Sequence, residues 1–147
     1  MDEIRKFTFP ARYDRVAEIC GLVAANAEEA GFDADDVFRI ELACDEACTN
    51  IVQHAYGGED VGDIRVELES TKEAFIIILR DKGRQFDPDE VPMPNFPADP
   101  DKFNELKIGG LGLHFMRTIM DEIRYAVNGQ GDNELVMIKQ IANSESR

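Results

Sequence analysis

ELACDEACTNIVQHAY, residues 41–56, places a carboxylate, Glu46, and an amide, Asn50, four residues apart in a largely apolar run. At 3.6 residues per turn that spacing brings both groups onto one helical face. A carboxylate on an apolar face is costly to bury, so it is paired, hydrated or used in chemistry. Alone, such a pair also occurs as an ordinary helix-surface pair, and the flanking chain has to decide between the two readings.

Upstream, residues 4–9 (IRKFTF) alternate as a strand does, and Pro10 marks the break. Residues 12–30 carry Val16, Ile19, Cys20, Val23 and Ala24 at helical spacing up to Gly31. A second helix is predicted over 34–56, with Asp33 or Asp35 as N-cap and Gly57-Gly58 as terminator. Downstream, residues 62–69 alternate as a half-exposed strand, and 73–80 hold the unbroken apolar block of a central one. Residues 82–108 show no period and contain five of the six prolines, the pattern of a functional lid or a disordered stretch. Glycines 109, 110 and 112 then open a third helix through about Asp121, followed by strands at 122–127 and 134–141 around the turn at 128–132. The order β-α-α-β-β-lid-α-β-β predicts an α+β sandwich, with helices layered on one face of a mixed sheet. The chain, 1–147, reads as one domain without repeats.

A net charge of −14 repels phosphate backbones and anionic lipids, so neither nucleic acid nor a membrane surface is an expected partner. Apolar runs are too short to span a bilayer, and MDEIRKF lacks the apolar region of a signal peptide, which points to a cytoplasmic protein. Cys20, Cys44 and Cys48 form no C-x-x-C motif, and with only two histidines in the chain they read as reduced core thiols, not zinc ligands.

Two further motifs follow the helical pair: Asp81-Lys82-Gly83 and Gly109-Gly110-Leu111-Gly112-Leu113. Glycines at a helix start let phosphates approach free backbone amides and the positive end of the dipole. Their plainer reading is a helix-capping turn. Asp81, ending a buried strand, is placed to accept from an exocyclic amino group, although an Asp-x-Gly by itself also serves as a turn. No G-x-x-x-x-G-K-[ST] occurs, and no strand leads directly into the glycine cluster, so Walker A and dinucleotide cradles are excluded.

Taken in order, Glu46-x-x-x-Asn50, Asp81-x-Gly83 and Gly109-Gly110-Leu111-Gly112-Leu113 resemble the three nucleotide-binding boxes of the GHKL (Bergerat-fold) ATP-binding superfamily. Within it, DEACTNIVQHAY, DKGRQFDP and GGLGLHFMRTIMDEIRYA are similar to the anti-sigma factor serine kinases of the RsbW and SpoIIAB type. The resemblance implies a Bergerat α/β sandwich: a mostly antiparallel mixed sheet, three helices on one face and an ATP lid. It implies ATP and magnesium as cofactors, phosphorylation of a serine on a STAS-domain anti-anti-sigma partner, a sigma factor as a second partner, and a homodimer. Residue by residue, it implies that Glu46 is the catalytic base, Asn50 a magnesium ligand and Asp81 the acceptor for the adenine amino group. Gly83 would admit the base, while Gly110 and Gly112 would pack against the phosphates, with Leu111 and Leu113 anchoring the helix and Gly109 among the nucleotide-binding residues. Lys102 and Lys107 are candidates for cations near the γ-phosphate or are solvated lid charges. His54 and His114 are read as structural or ring-stacking groups, not catalytic ones. The pattern departs from the family at Gln85, where a second glycine is usual, and at Asn133-Glu134, where a threonine commonly positions the adenine; the Asn133 amide is a candidate substitute. Two other readings stay open: a non-catalytic ATP-binding interaction module, and a stand-alone histidine-kinase-like ATPase domain.

Overall fold

The computed structural model describes residues 3–84, 116 and 118–141. It opens with strand β1 (Glu3–Pro10) and an antiparallel helical pair, α1 (Tyr13–Ala30) and α2 (Ala34–Asn50). Of the two expected caps for α2 the chain uses Asp33, whose side chain accepts the Asp36 N–H at 2.9 Å. Asp35 and Asp36 then lie in the first turn, where the helix dipole favours negative charge.

The α-helix predicted to reach Tyr56 stops at Asn50 and widens into a π-helical turn, Ile51–Ala55. The wider turn keeps Ile51 and Val52 in the core and closes with the Tyr56 N–H on the Ile51 carbonyl at 3.0 Å. The Ala55 carbonyl is thereby left to accept the Arg84 N–H at 2.7 Å, a bond outside the helix. Gly57, at φ 74°, then turns the chain away, as expected of the predicted terminator.

Strands β2 (Asp63–Ser70), β3 (Ala74–Asp81), β4 (Glu122–Val127) and β5 (Asn133–Gln140) complete a five-stranded sheet in the order β1-β2-β3-β5-β4. Among the described residues every ladder is antiparallel, so the mixed component expected from sequence is not part of this sheet. One face packs on the helices, through Val66, Leu68, Phe75, Ile77 and Leu79 against Ile19, Val23 and Ile40 of the helical pair. Each such side chain contributes about 1.5–3 kcal/mol by leaving water. The three cysteines are free and buried in this core, as expected, with Cys44 Sγ 3.9 Å from Cys48 Sγ. Met116 and Met120 also enter it, joined by a helical N–H to carbonyl bond of 2.9 Å, so the described end of the third helix lies on the same layer.

The opposite face carries Ile76 and Ile78 of β3 in register with Ile138 and Val136 of β5. Beside them Arg80 bridges Glu67 at 2.9 Å and Glu134 at 2.7 Å. Among the described residues no helix is long and apolar enough to cross a membrane.

Candidate functional site

Glu46 and Asn50 lie on the last turns of α2, both half-buried. Asp81 ends β3 on the helix-facing side of the sheet and is only 5% exposed. What joins the two motifs is the π-turn. A Cβ at Gly83 would stand 2.4 Å from the Ala55 carbonyl oxygen, so the turn after Asp81 closes directly onto the end of the Glu46–Asn50 helix. Gly83 is therefore glycine because of a chain-to-chain contact.

Asp81 is held on one oxygen: Oδ1 accepts the Gly83 N–H at 2.9 Å and the Asn133 side-chain amide at 2.7 Å. Burial pushes its carboxyl above the ordinary value, and these two donors oppose the shift. Both of these bonds fall on Oδ1, and Oδ2 takes part in neither. The same Asn133 amide reaches the Gly83 carbonyl at 3.0 Å and the Arg84 carbonyl at 3.2 Å. Its Oδ1 is buried with no partner.

Two residues missed in the sequence, Tyr56 and Asp132, build the frame around this corner. Tyr56 Oη donates to the Asp63 carbonyl at 2.7 Å and accepts the Lys82 N–H at 2.9 Å, bracing the π-turn against the start of β2 and the end of β3. Burial raises its hydroxyl pKa. Asp132, only 1% exposed, binds Arg65 at 2.7 Å and Lys82 at 2.9 Å. The Arg65 and Lys82 cations hold its carboxyl well below the usual range. The signals were present as an aromatic directly before Gly57-Gly58 and an aspartate between a glycine turn and a strand, but neither pattern names a partner. A cleft of about 520 Å³ beside this corner is lined by Tyr56, Gly62, Arg65, Lys82 and Arg84. Neither Glu46, Asn50 nor Asp81 lines it, although Ala55 and Gly83 do.

The Asp81 carboxylate, buried at the strand end, is an acceptor of the kind that the exocyclic amino group of a purine would meet. Among the described residues no cluster of three His, Cys, Asp or Glu could hold a metal unaided. Magnesium is commonly held by one or two protein oxygens together with substrate phosphates and water, and in such an arrangement the Asn50 amide oxygen would be the protein ligand. Gly109, Gly110, Leu111, Gly112, Leu113, Lys102, Lys107 and His114 lie outside the described residues, as does most of the stretch 82–108 expected to form a lid.

Comparison with known proteins gives a match of residues 9–139 to the family described as histidine kinase-like ATPase domain. The chain is 34% identical over 120 residues to the serine-protein kinase RsbW of Bacillus velezensis, spanning 81% of this chain and 75% of that one. To the kinase of the same name from Bacillus cereus it is 39% identical over 116 residues, covering 78% and 72%. A solved chain from the SiaB–SiaC complex of Pseudomonas aeruginosa shares the fold, with a TM-score of 0.57 at 13% identity over 93% of this chain and 89% of that chain.

Proposed function

The chain belongs to the histidine kinase-like ATPase domain family, and from that premise we propose that it is a cytoplasmic, ATP-dependent serine protein kinase acting as an anti-sigma regulator. The observation that carries this reading is 34–39% identity to serine-protein kinases over about four-fifths of the chain, with Glu46 and Asn50 on the helix pinned to Asp81. The substrate is a serine on a STAS-domain anti-anti-sigma partner, and a sigma factor is the second protein held. The chain works as a homodimer.

ATP would supply the γ-phosphoryl group and leave as ADP, and a magnesium ion would neutralise charge on the phosphates. Asp81 accepts the adenine amino group through the oxygen left open by Gly83 and Asn133. Asn50, at the mouth of the π-turn, offers its amide oxygen to the metal. Glu46, one helical turn earlier on the same face, accepts the proton of the incoming serine hydroxyl as a general base. Positioning and charge stabilisation carry the rest of the rate, since the protein forms no bond to the transferred group.

The test is phosphotransfer from Mg-ATP to the STAS-domain protein encoded nearest this gene, read by intact mass. The wild type is expected to add one phosphate to the partner. Glu46→Gln is expected to lose transfer while still binding ATP, and Asp81→Asn to lose binding itself. Transfer that persists at wild-type rate in Glu46→Gln would remove the base assignment; no ATP binding by the wild type would remove the kinase reading altogether.

A further inference from the structure

We infer that the cleft between the π-turn and the start of β2 is a second ligand site, which takes a small organic anion with an apolar body. It stands apart from the nucleotide reading above, since none of Glu46, Asn50 and Asp81 lines it.

The charge of the cleft runs against that of the chain. The sequence holds 30 acidic residues against 16 basic ones, whereas this cleft gathers three cations, Arg65, Lys82 and Arg84, with one lining carboxylate, Asp63. Elsewhere arginines stand beside carboxylates of their own: Arg5 meets Glu3 and Glu29, Arg12 meets Asp14 and Asp60, and Arg80 meets Glu67 and Glu134. Here Arg65 and Lys82 share a single buried carboxylate, Asp132, which gives one oxygen to each. It offsets only one of the two cations, and Arg84 adds a third positive charge. A concave surface dominated by one sign focuses its field and concentrates a counter-ion.

The walls are held in shape before any ligand arrives. Tyr56 Oη joins the Asp63 carbonyl to the Lys82 N–H, which fixes the start of β2 against the end of β3. The Arg84 N–H is tied to the Ala55 carbonyl, and the Tyr56 ring packs so close to Gly62 that a Cβ there would stand 2.5 Å from it. The backbone under the three cations therefore has little freedom to lose on binding. The remaining wall is apolar, with Ala55, the Tyr56 ring and Val61, which is 63% exposed. An exposed valine beside converging cations suits a ligand that has both an apolar and an anionic part. The volume of about 520 Å³ lies within the range of small-molecule sites. Two guanidinium forks and an ammonium group match the oxygens of a phosphate monoester or a carboxylate carried on a ring.

The experiment follows backbone amide NMR shifts of the full chain as 1-naphthyl phosphate is added, with and without saturating Mg-ADP. Beside it runs 1-naphthol, which has the same ring and no charge at neutral pH. The phosphate is expected to move the Gly62, Lys82 and Gly83 amides saturably, with a dissociation constant of about 1 mM or tighter. That constant should weaken as salt rises from about 0.02 to 0.2 M, and the naphthol should leave the amides in place. Arg84→Gln, which keeps the main-chain bond to Ala55, and Val61→Asp, which adds a like charge to the wall, are each expected to weaken binding about tenfold, the scale of one hydrogen bond to a charged group. Thermal melts identify a variant that fails to fold, and Lys82→Gln then takes its place. Shifts absent from these amides, naphthol binding as well as the phosphate, or a constant unchanged in the folded variants overturns the inference. Displacement of the phosphate by Mg-ADP also overturns it, because the cleft would then be an edge of the nucleotide site. A wild type that takes the phosphate in the cleft but binds no Mg-ADP supports the inference and removes the kinase reading instead.

Discussion

A methyl group added at Gly83 would lie 2.4 Å from the Ala55 carbonyl oxygen and 2.6 Å from its carbon, both backbone atoms that cannot swing aside. Gly83→Ala therefore forces the turn off the π-helical end, and overpacking of this kind typically costs about 1–3 kcal/mol. A drop in melting temperature of about 3–10 °C is expected for a chain this size. Gly129→Ala, where nothing lies within 4 Å, is the control and should melt close to wild type. Asp132 gives a second expectation, with the opposite dependence on conditions. Its carboxyl is held low in the folded state by Arg65 first and Lys82 second, so its contribution is present above the ordinary aspartate value of 3.8 and is lost as pH falls below that value. Asp132→Asn should thus be less stable than wild type in urea unfolding at pH 7, with the gap narrowing toward pH 3. A gap that stayed constant across that range would mean the ion pairs with Arg65 and Lys82 are not its source.

The π-turn at Ile51–Ala55 is the element on which the site depends, and it was invisible in the sequence. Periodicity found the helix, its Asp33 cap and its glycine terminator, because each depends on neighbours within a few residues. The end of the π-turn is also tied to a distant residue, Arg84, twenty-nine positions beyond Ala55, whose N–H bonds the Ala55 carbonyl. Likewise Asp81 was legible as a polar residue ending a buried strand, while its partner Asn133 was named only as a departure from a family pattern; the pairing arises from strand register across β3 and β5. Tyr56 shows the same limit, since its hydroxyl joins Asp63 to Lys82, and nothing local in HAYGG announces either. Tyr56→Phe deletes both bonds and retains the ring, which sits where a Cβ on Gly62 would be 2.5 Å away. A loss of about 1–2 kcal/mol is expected from the two bonds. Hydrogen exchange should locate that loss, with the Lys82 amide exchanging faster; a Lys82 amide as protected as in wild type would separate the turn from the tyrosine.

At the scale of the whole molecule, the sheet has one face under the helices and one without a helical cover among the described residues. On the latter, Ile76, Ile78, Val136 and Ile138 form a two-by-two apolar block on the two central strands, with Arg80 tied to Glu67 and Glu134 beside it. A block of this kind with both signs of charge beside it suits a two-fold contact, in which one patch meets its own copy. It is the surface on which the proposed homodimer would pair. The charge then dictates an unusual salt response. Two chains of −14 each repel at long range, and added salt screens that repulsion while leaving apolar burial intact. Dimerisation should therefore tighten as ionic strength rises from about 0.02 to 0.2 M, the reverse of a complex driven by opposite charges. Sedimentation velocity at several salt concentrations would read this directly. Val136→Glu, placed between Ile78 on β3 and Arg124 on β4, should shift the protein to monomer at micromolar concentration while leaving its melt cooperative. A dimer that loosens with salt, or one indifferent to Val136→Glu, would put the two-fold contact on another surface.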